Sequence, residues 1–182
     1  MSLEISVIGA GAWGTTVAQC FADNGHQVNL WCYKESIASN INHHRTHHRL
    51  PDVTLSKSIS AVTDFDQCYD ADYIILGLSS SQLLSYDSSI NWERMTSPVG
   101  ILAKGIIEPD WFISDWVGSR VQSSIFVISG PNLALEVAQK NPAATVVASS
   151  DKRLVQDIQL ALSNAYFRCY TSNDVIGVQC GG

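Results

Sequence analysis

The residues that most constrain this chain lie near its start: Gly9-Ala10-Gly11-Ala12-Trp13-Gly14. They follow Ile5-Ser6-Val7-Ile8, an apolar run that predicts a short buried strand. They precede residues 15–24, where Val17, Ala18, Phe21 and Ala22 recur at helical spacing. Strand, glycine turn and helix, in that order, is the context in which G-x-G-x-x-G marks a dinucleotide-binding turn. Each glycine meets a separate steric demand. Gly9 admits the tight turn, Gly11 lets the backbone approach a pyrophosphate, and Gly14 lets helix and strand pack closely. The first turn of the helix then offers N–H groups and a partial positive charge to phosphate. The competing reading is a glycine-rich strand–helix turn with no ligand.

The rest of the chain continues the alternation. Gly25 falls where a left-handed residue ends a helix, and Gln27-Val28-Asn29-Leu30-Trp31 reads as a second strand, closing a βαβ unit. Extended pieces are expected at residues 54–55 and 59–62, and strands at 72–78, 99–103, 124–128, 145–148 and 167–170. Helices are expected over residues 36–44, with Ser36 as N-cap, and over 65–69, 82–90, 110–121, 133–139 and 154–162. The run at 72–78 is apolar on both faces, as a parallel strand covered by helices should be. The expected fold is therefore α/β, a doubly wound, mostly parallel sheet of the Rossmann kind, forming one dinucleotide-binding domain over residues 1–182.

A net charge of −6 argues against nucleic acid or an anionic membrane as the main partner. No apolar stretch reaches membrane-spanning length, and the chain opens into a strand rather than a signal peptide, so a cytoplasmic location is expected. Cys20, Cys32, Cys68, Cys169 and Cys180 are odd in number and scattered, without C-x-x-C spacing, and read as reduced thiols.

The end of the second strand bears on cofactor choice. An NAD site usually places an acid there for the ribose hydroxyls. This chain has Cys32-Tyr33-Lys34-Glu35. Lys34 is a candidate to face a 2′-phosphate and Glu35 an off-register candidate for the ribose; the alternative is that both are solvated loop charges. The balance leans toward NADP, with NAD or dual use left open. Further on, His43/His47 and His44/His48 are spaced four apart, which on a helix places two imidazoles together. No Cys, Asp or Glu joins them nearby and Pro51 disfavours helix just before it, so a polar, partly cationic lobe beside the nucleotide site is expected and no metal.

In an open α/β sheet, ligands bind at the carboxyl ends of the strands. Ser79-Ser80-Ser81, Lys104-Gly105 and Ser129-Gly130-Pro131-Asn132 all fall at such ends. A lysine there can hold a phosphate or stabilise a developing alkoxide, and backbone N–H groups around Gly130, if they open a helix, can hold an anion.

Taken together, these stretches resemble a known family. They are Gly9–Gly14, Trp31, Ile41-Asn42-x-x-Arg45 running to Leu50-Pro51, Lys104-Gly105, Ile128-Ser129-Gly130-Pro131-x-x-Ala134-x-Glu136, and Phe167-Arg168-x-Tyr170 through Asp174-x-Ile176-Gly177-Val178-x-x-Gly181-Gly182. The sequence resembles the amino-terminal half of bacterial-type NAD(P)-dependent glycerol-3-phosphate dehydrogenase over essentially its whole length. The resemblance implies hydride transfer between NAD(P)H and dihydroxyacetone phosphate, giving glycerol 3-phosphate as a phospholipid precursor. It implies cofactor contacts at Ala12, Trp13, Tyr33 and Ala134, substrate contacts at Gly130 and Asn132, and contact with both at Lys104. Gly9, Gly11, Gly14, Lys34 and Ser80 complete the expected cofactor site.

The resemblance also implies a main catalytic lysine a few residues after Gly181-Gly182 and a helical second domain, both outside this chain, which is accordingly expected to be inactive alone. Self-association as a homodimer is a further expectation, since a face normally covered by those helices would lie open. Ala12, Ala103 and Asn132 stand where the family often has hydroxyl residues, Ser79 replaces a frequent proline, and Arg49 sits near a usual aromatic before Leu-Pro. Two other functions fit the same motifs: a dehydrogenase for another small carbonyl substrate, and a non-catalytic NAD(P)-sensing module.

Overall fold

The computed structural model describes residues 1–107 and 111–181. β1 (Glu4–Ile8), α1 (Ala12–Asp23) and β2 (Gln27–Trp31) form the first unit, with Val7 opposite Leu30 in parallel register. α2 (Glu35–Ser39) runs into a π-helical turn at Asn40–His44, and β3 (Ile59–Val62) follows a long loop. A 3-10 turn, Phe65–Cys68, leads to β4 (Tyr73–Leu76) and α3 (Ser80–Tyr86), and two more, Asp87–Ser89 and Trp92–Arg94, precede β5 (Val99–Ile101). β6 (Ile106–Ile107) and β7 (Trp111–Phe112) make a small antiparallel hairpin outside the main sheet, before α4 (Ile113–Gly118). β8 (Ile125–Ser129), α5 (Ala134–Ala138), β9 (Ala143–Ala148), α6 (Lys152–Leu162), β10 (Phe167–Ser172) and α7 (Val175–Cys180) complete the order.

The main sheet has eight strands in the order β10-β9-β8-β5-β4-β1-β2-β3. Every neighbouring pair is parallel except β8 with β9. From β1 the chain moves outward through β2 and β3, then returns to β4 on the other side of β1. The strand order thus reverses between β1 and β4, and a crevice opens beyond their carboxyl ends.

Alternation along the strands builds a core on each face. Ile5, Val7, Ile75, Phe126 and Ile128 pack with Val17 and Phe21 of α1 and Ile158 and Leu162 of α6. Their neighbours Ile8, Ile74, Leu76 and Val127 pack the other way, with Leu83 of α3 and Ile113, Trp116 and Val117 of α4. Each such side chain contributes about 1.5–3 kcal/mol on burial, so the two helix layers fix the strands whose carboxyl ends border the crevice.

The doubly wound architecture is the expected one; several element bounds differ. α1 begins at Ala12, inside the glycine motif, because Gly11 itself occupies the N-cap. Lys34, not Ser36, is the N-cap of α2. α3 begins at Ser80 because Ser79 and Gln82 form a reciprocal capping box: the Gln82 N–H donates to Ser79 Oγ (3.3 Å) and the Ser79 N–H to Gln82 Oε1 (3.0 Å). The helix expected over 110–121 is shorter, because Trp111 and Phe112 pair with Ile107 and Ile106 as a strand; Asp110 lies outside the described residues.

Candidate functional site

At the crevice three backbones meet in close contact. Gly9 has φ +122°, in the region that favours glycine, and a Cβ there would come within 2.8 Å of the Gly77 carbonyl carbon. A Cβ on Gly14 would overlap the carbonyl oxygen of Gly9. Gly77, just past β4, closes the third side: its N–H donates to Ile8 O (2.8 Å), and a Cβ there would lie 3.1 Å from Gly14 Cα. Gly11 is different. A Cβ on it would meet nothing within 4 Å. The space before α1 is open, no side chain caps that helix and its first turn carries no acid. A fixed cradle with unclaimed N–H donors at the positive end of a 12-residue helix fits a pyrophosphate.

The open space continues in two directions. One lobe is a cleft of about 490 Å³ whose walls include Gly11, Trp13, Ser80, Lys104, Gly130 and Asn132. Lys104 Nζ donates to Gly130 O across 3.2 Å, which brings the ends of β5 and β8 together. Asn132 is held by its Nδ2, which donates to Ala144 O (2.7 Å), while its Oδ1 is buried without a partner among the described residues. Thr145 Oγ1 donates to Ser129 O at 3.0 Å and fixes the same strand end.

The other lobe shares Gly11, Gly77, Leu78 and Gln82 with the first and is walled further by Trp31, Tyr33, Ile37, His48, Arg49 and Tyr86. Trp31 forms its rigid floor, stacked on Phe65 at 4.2 Å between centroids and edge-on to Tyr86 at 5.3 Å. Beside it, His47 is buried. Its Nε2 donates to Ala10 O (3.0 Å) and its Nδ1 accepts the Arg49 N–H (3.3 Å). Burial holds its pKa below the ordinary 6.5, so the ring is neutral.

These placements sort the candidates. Gly9, Gly11, Ala12, Trp13, Gly14, Ser80, Lys104, Gly130 and Asn132 lie in or against the crevice, and Tyr33 walls its second lobe. Ala134 lies behind it: its carbonyl accepts Thr16 Oγ1 at 3.0 Å, tying α5 to the first turn of α1. Lys34 walls neither lobe; its Nζ sits 5.1 Å from the centre of the Tyr33 ring. Glu35 is turned aside, with Oε2 accepting from Thr63 Oγ1 (3.2 Å).

Two sequence readings need correction. Gly130 does not open a helix: α5 starts at Ala134 after Leu133 as N-cap, and the Asn132 N–H already donates to Gly130 O at 2.9 Å. Positive charge in that lobe comes from Lys104 instead. The histidine pairs do not share a helix face either. His44 ends the π-helical turn and Arg45 (φ 56°) reverses the chain, and the lobe is less cationic than expected because His47 is neutral. Gly77 and Gln82 escaped the sequence reading, while His47 entered it only within a polar lobe beside the nucleotide site and Arg49 only as a departure from the family pattern. Gly77 alone carried a signal, as a glycine breaking a strand-like apolar run, which marks close backbone approach.

The family model for the NAD-dependent glycerol-3-phosphate dehydrogenase N-terminus matches residues 4–155. The chain belongs to this family. Glycerol-3-phosphate dehydrogenase [NAD(P)+] of Corynebacterium urealyticum is 40% identical over 190 residues, covering 99% of this chain and 56% of the relative. That of Macrococcus caseolyticus is 35% identical, again over 99% of this chain and 57% of the relative. Among solved structures, glycerol-3-phosphate dehydrogenase from Coxiella burnetii superposes with a TM-score of 0.86 at 27% identity, covering 99% of this chain and 57% of that one. The chain therefore spans about half the length of the curated glycerol-3-phosphate dehydrogenases it matches. It carries their N-terminal, NAD(P)-binding half. No helix among the described residues is long and apolar enough to cross a membrane.

Proposed function

We propose that this domain serves NAD(P)-dependent interconversion of dihydroxyacetone phosphate and glycerol 3-phosphate in the cytoplasm, supplying a phospholipid precursor, and that it does so as the cofactor-binding part of a longer enzyme. The observation that carries the proposal is the single crevice running from the glycine cradle to Lys104 and Gly130. In this reading the N–H groups after Gly11 bind the pyrophosphate, held in place by the packed Gly9, Gly14 and Gly77 backbones. Tyr33 borders the adenosine end, with Lys34 outside the lobe beside the Tyr33 ring. Ala12, Trp13 and Ser80 line the path toward the nicotinamide end, and Ala134 supports it through Thr16. The nicotinamide, when bound, supplies or accepts the hydride.

The chain's own residues do the rest. Lys104 places an ammonium group where the carbonyl oxygen gains negative charge on reduction, or where the substrate phosphate sits, and Gly130 O orients it. Asn132, on the cleft wall beside Gly130, is the second candidate substrate contact, its side chain anchored through Nδ2 to Ala144 O. One lysine at the cleft is a partial catalytic set, so the 182 residues taken alone are expected to bind dinucleotide without appreciable turnover. Calorimetric titration with NADPH and NADH, alongside an assay of dihydroxyacetone phosphate reduction, tests this. Binding with little turnover supports the reading; absence of binding overturns it, and brisk turnover overturns the claim of inactivity.

A further inference from the structure

We infer that Arg49 is the residue that sets cofactor selectivity, by holding the ribose 2′-phosphate of NADP(H). This inference rests on the dinucleotide reading above and adds to it which cofactor is preferred and which side chain decides. Arg49 walls the lobe that opens beside the carboxyl end of β2, where the ribose of a dinucleotide falls in this fold. Its guanidinium forms no ion pair among the described residues. A planar, permanently charged fork suits a phosphate monoester better than a neutral diol.

Two further observations favour a phosphate over a free ribose, and a third singles out Arg49 as the cation that faces it. Among the described residues no carboxylate walls this lobe. Glu35, the acid nearest the end of β2 in sequence, is bonded to Thr63 Oγ1. Lys34, the cation the sequence suggests, stands outside the lobe over the face of Tyr33. The Arg49 backbone is also held in place: its N–H donates to His47 Nδ1, His47 Nε2 donates to Ala10 O, and the adjacent Leu50 is buried. The backbone that carries the arginine is therefore fixed relative to the turn that would grip the pyrophosphate. A fixed position lowers the ordering cost of engaging a ligand.

The test is a set of calorimetric titrations of this chain with NADPH, NADH, 2′,5′-ADP and 5′-AMP, in the unsubstituted protein and in Arg49→Ala, Arg49→Lys and Lys34→Ala. Arg49 is exposed, so the variants should keep the parent thermal midpoint. The unsubstituted chain is expected to bind NADPH and 2′,5′-ADP at least about tenfold more tightly than their unphosphorylated counterparts, the scale of a charge-assisted phosphate contact. Arg49→Ala should abolish that ratio while leaving NADH and 5′-AMP affinities within about twofold, Arg49→Lys should keep part of it, and Lys34→Ala should leave it intact. Equal weakening of both cofactor types, an unchanged ratio in Arg49→Ala, or a ratio lost only in Lys34→Ala overturns the assignment while leaving the dinucleotide site standing. A folded chain that binds none of the four ligands overturns both.

Discussion

His47 and Ala10, 37 residues apart, are joined by a hydrogen bond of 3.0 Å from the imidazole Nε2 to the carbonyl oxygen in the middle of the glycine turn. The two bonds together require a neutral ring, since Nδ1 can accept the Arg49 N–H only when it is unprotonated. Protonation would set two donors against each other at Nδ1. Burial already disfavours the charged ring, and the pKa lies below 6.5.

A pH dependence follows. Between the lowered native pKa and 6.5 the unfolded chain binds more protons at this histidine than the folded one, so stability rises with pH across that window. The contribution is complete above about pH 6.5 and is lost progressively as pH falls toward the native pKa. Urea midpoints at pH 7.5 and 5.5 for the parent and His47→Gln isolate the effect. The parent should lose more stability on acidification than the variant. At pH 7.5 the variant should be about 1–3 kcal/mol less stable, the cost of leaving buried polar partners unpaired.

The glycines of the motif should separate by substitution. Gly14→Ala forces a Cβ into the Gly9 carbonyl oxygen, where no flexible side chain can yield. It should cost about 1–3 kcal/mol or more by overpacking. Gly11→Ala places its methyl in open space at φ −74°, so stability should stay within about 0.5 kcal/mol of the parent. Thermal or urea unfolding of the two variants checks the contrast.

The steric requirement at this turn explains what could be read in advance. β1, the three glycines and α1 are contiguous, and each local choice points the same way. The long-range partners were not legible. Nothing local to Gly77 shows that it will meet Gly9 and Gly14, and nothing local to His47 shows that it will reach Ala10, because both contacts arise only after β4 and the loop before β3 return to β1. Likewise, the residue types of Lys34 and Arg49 did not reveal which cation faces the crevice; that depends on how Arg45 and the His47–Leu50 bridge turn the chain. The bounds of α3 and α4 shifted for local reasons that were readable in principle, the Ser79–Gln82 capping box and the β-forming Trp111-Phe112 pair.

Thiol reactivity offers an independent check on the packing. Burial pushes the thiols of Cys20, Cys32 and Cys68 up to about 12 and that of Cys169 to about 11, whereas Cys180 is exposed. The thiolate is the reactive form. At pH 8 a thiol-specific reagent should label one cysteine rapidly in the native chain and all five after denaturation. Rapid native labelling of Cys20 or Cys169, located by peptide mapping, would contradict the packing of α1 and β10 described above.

Lys104 should matter to turnover far more than to folding. Its ammonium is exposed and among the described residues it bonds only to Gly130 O, so Lys104→Ala should leave the thermal midpoint nearly unchanged. In an enzyme carrying this domain with its catalytic complement, kcat/KM for dihydroxyacetone phosphate should fall by about 10²–10³, the usual loss when a donor to a developing oxyanion is removed. Steady-state kinetics at saturating cofactor provides the comparison.

The central claim is that the open space in front of α1, beside Gly11, receives a dinucleotide. Energy transfer from tryptophan to NADPH, followed by titration in the parent and in Gly11→Ala, addresses it most directly, because Trp13 lies on the cleft wall. The account predicts a saturable signal in the parent and an affinity at least about tenfold weaker in an equally stable Gly11→Ala, as the methyl occupies the pyrophosphate's place. A flat titration in the folded parent, or equal affinity in the two proteins, would contradict it.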